Sequence, residues 1–132
     1  MSRDKVTIEL DRDPPDYHPD ESLSGSWTLA SDYEREVRSA ELSVLWYTEG
    51  KGDEDFGVHH FERLSADEAG WVESRRPQRF SLRLPRAPLS YDGVIVKVNW
   101  CVRVRVFWDR GEAVAEAPFQ LGTVARAREI PT

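Results

Sequence analysis

The chain predicts an all-β fold, an antiparallel, immunoglobulin-like β-sandwich of about seven to eight strands. Three observations carry that prediction. Val94, Val96, Val98, Trp100, Val102, Val104, Val106 and Trp108 hold every second position without a break. Side chains alternate faces along a strand, so all eight share one side and face a core. Shorter period-two runs recur along the chain, separated by turn segments rich in Gly, Pro and acids. Helical signals are almost absent. At most one short helical turn fits, near residues 65–70, where Ser65-Ala-Asp-Glu68 has the spacing of a capping box.

In chain order, Lys5–Leu10 alternates and gives the first strand, with Val6, Ile8 and Leu10 on the core side. Asp11–Glu21 holds three prolines and five acids and reads as a loop. Leu23, Gly25, Trp27 and Leu29 share one parity and form the second strand, with Gly25 marking a bulge. Ser31–Glu36 turns the chain. Val37–Thr48 is the third strand, with Ala40, Leu42, Val44 and Trp46 on one face and Ser43, Leu45 and Tyr47 on the other. Glu49–Asp55 is a hairpin-type connection to a fourth strand, Phe56–Leu64, and Gly70–Arg79 is an arginine-rich loop. Phe80–Trp108 then reads as a β-hairpin, with Pro85–Gly93 turning the chain between its strands. The valine row would span roughly 50 Å at about 3.3 Å per residue, which predicts a bend or bulge. Glu112–Gly122 is a last strand, irregular at Pro118, and 123–132 a tail.

A length of 132 residues, with 39% apolar and 32% charged, indicates one domain, 1–132, with its core over about 5–122. No apolar run approaches the ~20 residues of a membrane span, and Met1–Val6 is no secretory signal. The single cysteine, Cys101, excludes an internal disulfide framework and favours a cytoplasmic setting. A net charge of −6 argues against general nucleic-acid binding, which needs a basic face. Only Lys5, Lys51 and Lys97 are lysines among the 18 bases, a skew that suggests a GC-rich bacterial genome.

The order of signals from Phe80 onward resembles the N-terminal-type domain of the arrestin fold. The pieces are Leu84-Pro85, then Pro88-Leu89-Ser90-Tyr91-Asp92-Gly93, then Val98-Asn99-Trp100-Cys101-Val102, and finally Ala117-Pro118-Phe119. Upstream, Leu23-Ser24-Gly25-Ser26-Trp27 and Arg38-Ser-Ala-Glu-Leu42 are similar to the family's early strands. Bacterial single-domain relatives, and the sporulation-control and trafficking-adaptor branches, are the nearest company. The resemblance implies a non-catalytic scaffold or adaptor that binds other proteins. The second sandwich and charged core of two-domain arrestins have no counterpart here, so receptor recognition and phosphate-triggered activation do not carry over.

Candidate chemistry is sparse. His59 and His60 are adjacent on a strand and point to opposite faces, so with His18 they make no metal-ligand pattern. Asp53, Glu54 and Asp55, and the acids of Asp11–Glu21, lack the calcium-loop register. Gly50-Lys51-Gly52 lacks the spacing of a phosphate loop. Trp27, Trp46, Trp100 and Trp108 share parity with core positions, which leaves only Trp71 in a loop. No nucleophile elbow is present, and Cys101 reads as an inert thiol opposite the valine row. Arg75, Arg76 and Arg79, with Arg83 and Arg86 nearby, concentrate positive charge. Guanidinium forks suit phosphate or carboxylate, so Arg75, Arg76 and Arg79 form the candidate anion or partner patch. The resulting expectation is a protein-binding scaffold, without cofactor or metal, docking by an edge strand or end loops and open to self-association. A carbohydrate- or metal-binding module, or an accessory domain of an enzyme, is the alternative.

Overall fold

A computed structural model of the protein describes residues 4–31, 36–51, 54–66 and 76–122. Nine strands lie among the described residues: β1 (Lys5–Leu10), β2 (Asp16–Tyr17), β3 (Ser22–Ala30), β4 (Val37–Gly50), β5 (Phe56–Ser65), β6 (Gln78–Arg83), β7 (Tyr91–Asp92), β8 (Val96–Trp108) and β9 (Gly111–Leu121). β2 and β7 have two residues each, so the full-length strands are those that the alternation marks. They form two layers, a three-stranded sheet in the order β1-β3-β6 and a larger one in the order β2-β9-β8-β4-β5, with β7 on β8. Pairing is antiparallel except for the parallel contact of β2 with β9. The fold is an all-β sandwich.

The core forms where the inward faces meet. Leu23, Leu84, Val37, Val44, Val102, Val104, Val106 and Leu121 are fully buried. Trp100 is 1% exposed, and its ring lies 5.7 Å from that of Phe119, which meets Tyr17 edge-to-face at 5.8 Å. Tyr17 is a core residue contributed by the proline-rich segment, which holds the short strand β2 rather than being loop throughout. Its neighbours Pro14, Pro15 and Pro19 hide that strand from sequence patterning.

Several expectations need correction. Phe80–Trp108 is not a hairpin, because β6 pairs with β3 while β8 lies between β4 and β9 in the other layer. The segment Leu84–Ile95 is far longer than a hairpin loop of roughly two to five residues, and it crosses from one sheet to the other. The valine row starts at Val96. Val94 is 93% exposed, because Gly93 N–H donates to the Val96 carbonyl (3.0 Å) and throws Val94 and Ile95 out at the tip of a turn. Gly25 is not bulged: its register is continuous with Leu10 on β1 and Phe80 on β6. Glycine is needed there because a Cβ would meet the Glu9 carbonyl and come within 2.9 Å of the Phe80 ring. Pro118 pairs in register with Cys101, so β9 is regular against β8. Ser65 ends β5, and the rest of the capping box, 67–70, lies outside the described residues, as do 32–35, Trp71 and the tail 123–132.

The crossing segment is held at both of its main features. The Trp100 indole N–H donates to the Pro88 carbonyl at 2.7 Å. Ser90 N–H donates to the Leu121 carbonyl, and the Ser90 hydroxyl accepts from Leu121 N–H, both at 2.8 Å. These bonds give the Pro-x-Ser turn its physical role. Ser90→Ala leaves the buried Leu121 N–H unpaired and is expected to lower stability by about 1–3 kcal/mol, measured by urea unfolding. Trp100→Ala, which also empties the core centre, is expected to cost about 3–5 kcal/mol in the same measurement.

Candidate interaction surface

The two layers have unequal widths, and this asymmetry makes the surface. β5 ends the larger sheet and has no strand on its outer side among the described residues. Opposed residues of an antiparallel pair share a face. Opposite Val44, Leu42 and Ala40, therefore, His60, Glu62 and Leu64 lie on the core side of β5. Opposite Tyr47, Leu45 and Ser43, the side chains of Phe56, Val58 and Phe61 lie on the outer side. Those three are 70%, 53% and 55% exposed, around a buried Leu45. An apolar strip thus borders an open row of backbone donors and acceptors.

The register shifts between Val44 and Leu45, where Val58 and His60 are the partners, so His59 is the extra residue of a β-bulge. Its Nε2–H donates to the Arg83 carbonyl at 2.8 Å, and its ring meets Trp100 edge-on at 6.3 Å, tying β5 across to β6. His60 instead faces Glu62, at 3.1 Å. No group of three metal-ligating side chains comes together among the described residues.

The outer face changes character across the sheet. On β8 and β9, Arg103 pairs with Glu116 (2.7 Å) and Arg105 with Glu112 (3.1 Å), a charged ladder facing solvent. Cys101 is buried beside it, 3.7 Å from the Glu116 carboxylate, and burial pushes its thiol up to about 12. A cavity of about 690 Å³ lies where β7 and β9 flank β8. Its polar groups largely satisfy one another or nearby acids, with Lys97 on Asp92 (3.5 Å) and Asn99 donating to Glu49 (2.6 Å).

Among the described residues, Arg79, Arg83 and Arg86 are engaged by acids and carbonyls. Arg75 lies outside the described residues, and Arg76 is exposed just before β6. Arg79, on β6, donates through both terminal nitrogens to the Asp11 carboxylate. Arg83 donates to the Asp20 carbonyl (3.2 Å) and Arg86 to the Asp20 carboxylate (2.7 Å). Arg12 makes a forked bond to Glu21 (3.0 and 3.1 Å) and covers the Tyr17 ring. Together they fasten the 11–21 segment. The remaining edges carry the residues that blunt strand addition, with Lys5 on β1, Arg79 and Arg83 on β6, and Pro14 and Pro15 before β2. β5 contains no lysine and no proline, and its charges, Glu62 and Arg63, follow the apolar stretch Phe56–Phe61.

No protein-family model and no curated protein matches the chain. Solved structures do. Spo0M, a sporulation control protein from Bacillus subtilis, superposes over 89% of this chain with a TM-score of 0.65 at 16% identity. The fold is arrestin-like. This chain covers 49% of Spo0M, so the arrestin-like sandwich corresponds to about half of that protein. A superoxide reductase (neelaredoxin) from Ignicoccus hospitalis matches over 92% of this chain and 83% of its own, with a TM-score of 0.57 at 15% identity. At such identities the likeness is one of fold. No helix among the described residues is long and apolar enough to cross a membrane.

Two predictions follow from the polar groups. The Arg12 fork holds the Glu21 carboxyl down at about 2, and Arg79 lowers that of Asp11. Both folded values lie below the unfolded ones, so this stabilisation is present above about pH 4.5 and is lost as pH falls toward about 2. Glu21→Gln should flatten that acid limb in thermal unfolding curves. The Cys101 thiol should resist iodoacetamide at about pH 8 in the folded protein and react once urea unfolds it.

Proposed function

We propose that this protein is a non-catalytic scaffold or adaptor that docks another protein along the β5 edge. The observation that carries the reading is a strand edge with no partner among the described residues, beside three exposed apolar side chains, Phe56, Val58 and Phe61. Strand addition supplies backbone hydrogen bonds, and the apolar strip selects the side chains of the incoming segment. The fixed sandwich behind it, tied through His59 to Arg83, presents that edge without rearrangement. The fold shared with a sporulation control protein is compatible with a regulatory role. The exposed apolar strip on β5 favours it over the other edges, and the engagement of Arg79 by the Asp11 carboxylate favours it over an anion patch. The setting that fits this role is the cytoplasm.

A photo-crosslinking residue in place of Phe61 should give protein adducts in cells, whereas the same residue in place of Thr7, exposed on β1, should not. Val58→Asp should reduce the Phe61 adducts several-fold while leaving the unfolding free energy within about 0.5 kcal/mol. Equal adduct yields from both positions, or none from Phe61, would defeat the proposal.

A further inference from the structure

We infer that the protein docking on β5 is a second copy of this chain, paired antiparallel strand to strand about a two-fold axis at Phe61. This rests on the reading of β5 as the docking edge and names its occupant. The register is sought within His60–Leu64, the regular stretch of β5 beyond the bulge. Opposed residues must share a face, so a two-fold axis normal to the sheet passes through a residue and not between two. An axis at Glu62 sets two carboxylates against each other, and one at Arg63 sets two guanidiniums together, both unfavourable. An axis at His60 runs the pairing straight into the bulge of both copies, and one at Leu64 runs it off the strand after Ser65.

An axis at Phe61 opposes no like charges and leaves three regular pairs, from His60 to Glu62, before the bulge is reached. The two Phe61 rings meet on the outer face, removing from water side chains that are 55% exposed in the single chain. On the other face, Glu62 stands opposite His60 of the partner subunit, twice over. The same two groups already attract within one chain, at 3.1 Å, because they sit two residues apart on one face with Phe61 between them. That i, i+2 arrangement of an imidazole and a carboxylate astride an apolar residue is self-complementary when the strand is reversed against itself. The result is one continuous sheet through two sandwiches, with both apolar strips adjoining. The bulge at His59 ends the regular ladder on each side, so the join is short. It falls at the small end of protein interfaces, under roughly 1,200 Å², and assembly therefore depends on concentration.

Sedimentation equilibrium of the purified full chain, from about 1 µM to about 1 mM, tests this. A monomer–dimer equilibrium is expected. Phe61→Asp should weaken it at least about tenfold, and Glu62→Lys several-fold. Combining Glu62→Lys with His60→Glu restores opposite charges across the axis and should recover dimerisation. Tryptophan fluorescence during urea unfolding confirms that each variant is folded. A monomer at every concentration, or a dimer indifferent to Phe61→Asp and to the charge exchange, would overturn the inference. If the chain stays monomeric while the Phe61 crosslinker captures a different protein, self-pairing fails and the docking edge stands. If neither occurs, both fail.

Discussion

The architecture depends on how the chain gets from one sheet to the other. Leu84–Ile95 crosses between layers, and two bonds set its path: the Trp100 indole on the Pro88 carbonyl, and the paired exchange between Ser90 and Leu121. Trp100 sits at the centre of β8 and Leu121 at the end of β9, so the crossing is referenced to the middle of the large sheet. A buried indole N–H without an acceptor costs about 1–3 kcal/mol, which makes the carbonyl's placement an obligation of the core. With the crossing fixed, β7 falls beside the start of β8, β9 takes the rest of that flank, and β4 takes the other. β5 is then left at the margin.

From that arrangement the surface follows. A three-stranded layer cannot cover a sheet whose main path holds five strands, so part of the larger sheet extends past its neighbour. His59 makes the one described bond that draws β5 back toward β6. The outer face divides by composition. Arginine–glutamate pairs on β8 and β9 keep one half wetted, while aromatic and aliphatic side chains on β4 and β5 make the other half dry. The contrast is sharpest at Leu45 and Cys101, which are buried on a face that elsewhere meets solvent.

Much of this was readable from residue order. Period-two alternation marks the seven long strands, and the Pro-x-Ser-aromatic-x-Gly series carries the resemblance to the arrestin fold. Alternation says which face a residue takes and nothing about which strand lies beside it, and so the crossing looked like a hairpin. It also cannot separate a core face from an exposed apolar one, so Phe56, Val58 and Phe61 passed as ordinary strand positions. One clue was available: the apolar spacing on β5 changes from two to three between Val58 and Phe61, the mark of an inserted residue. The engagement of Arg79 by Asp11, 68 positions apart, is a long-range contact that composition cannot reveal. β2 was missed because two residues among prolines carry no periodicity.

The place of β9 in the large sheet bears on how the protein is made. It is the last strand in the chain order, yet it is an interior one, with β8 on one side and β2 on the other. While ribosomal synthesis is under way, β8 has no neighbour on that flank beyond β7, and the Ser90 hydroxyl waits for the Leu121 amide. The order of strands in the sheet thus runs against the order of synthesis: β4 and β8 can pair before β9 exists. The crossing closes only when β9 joins, through the bonds between Ser90 and Leu121.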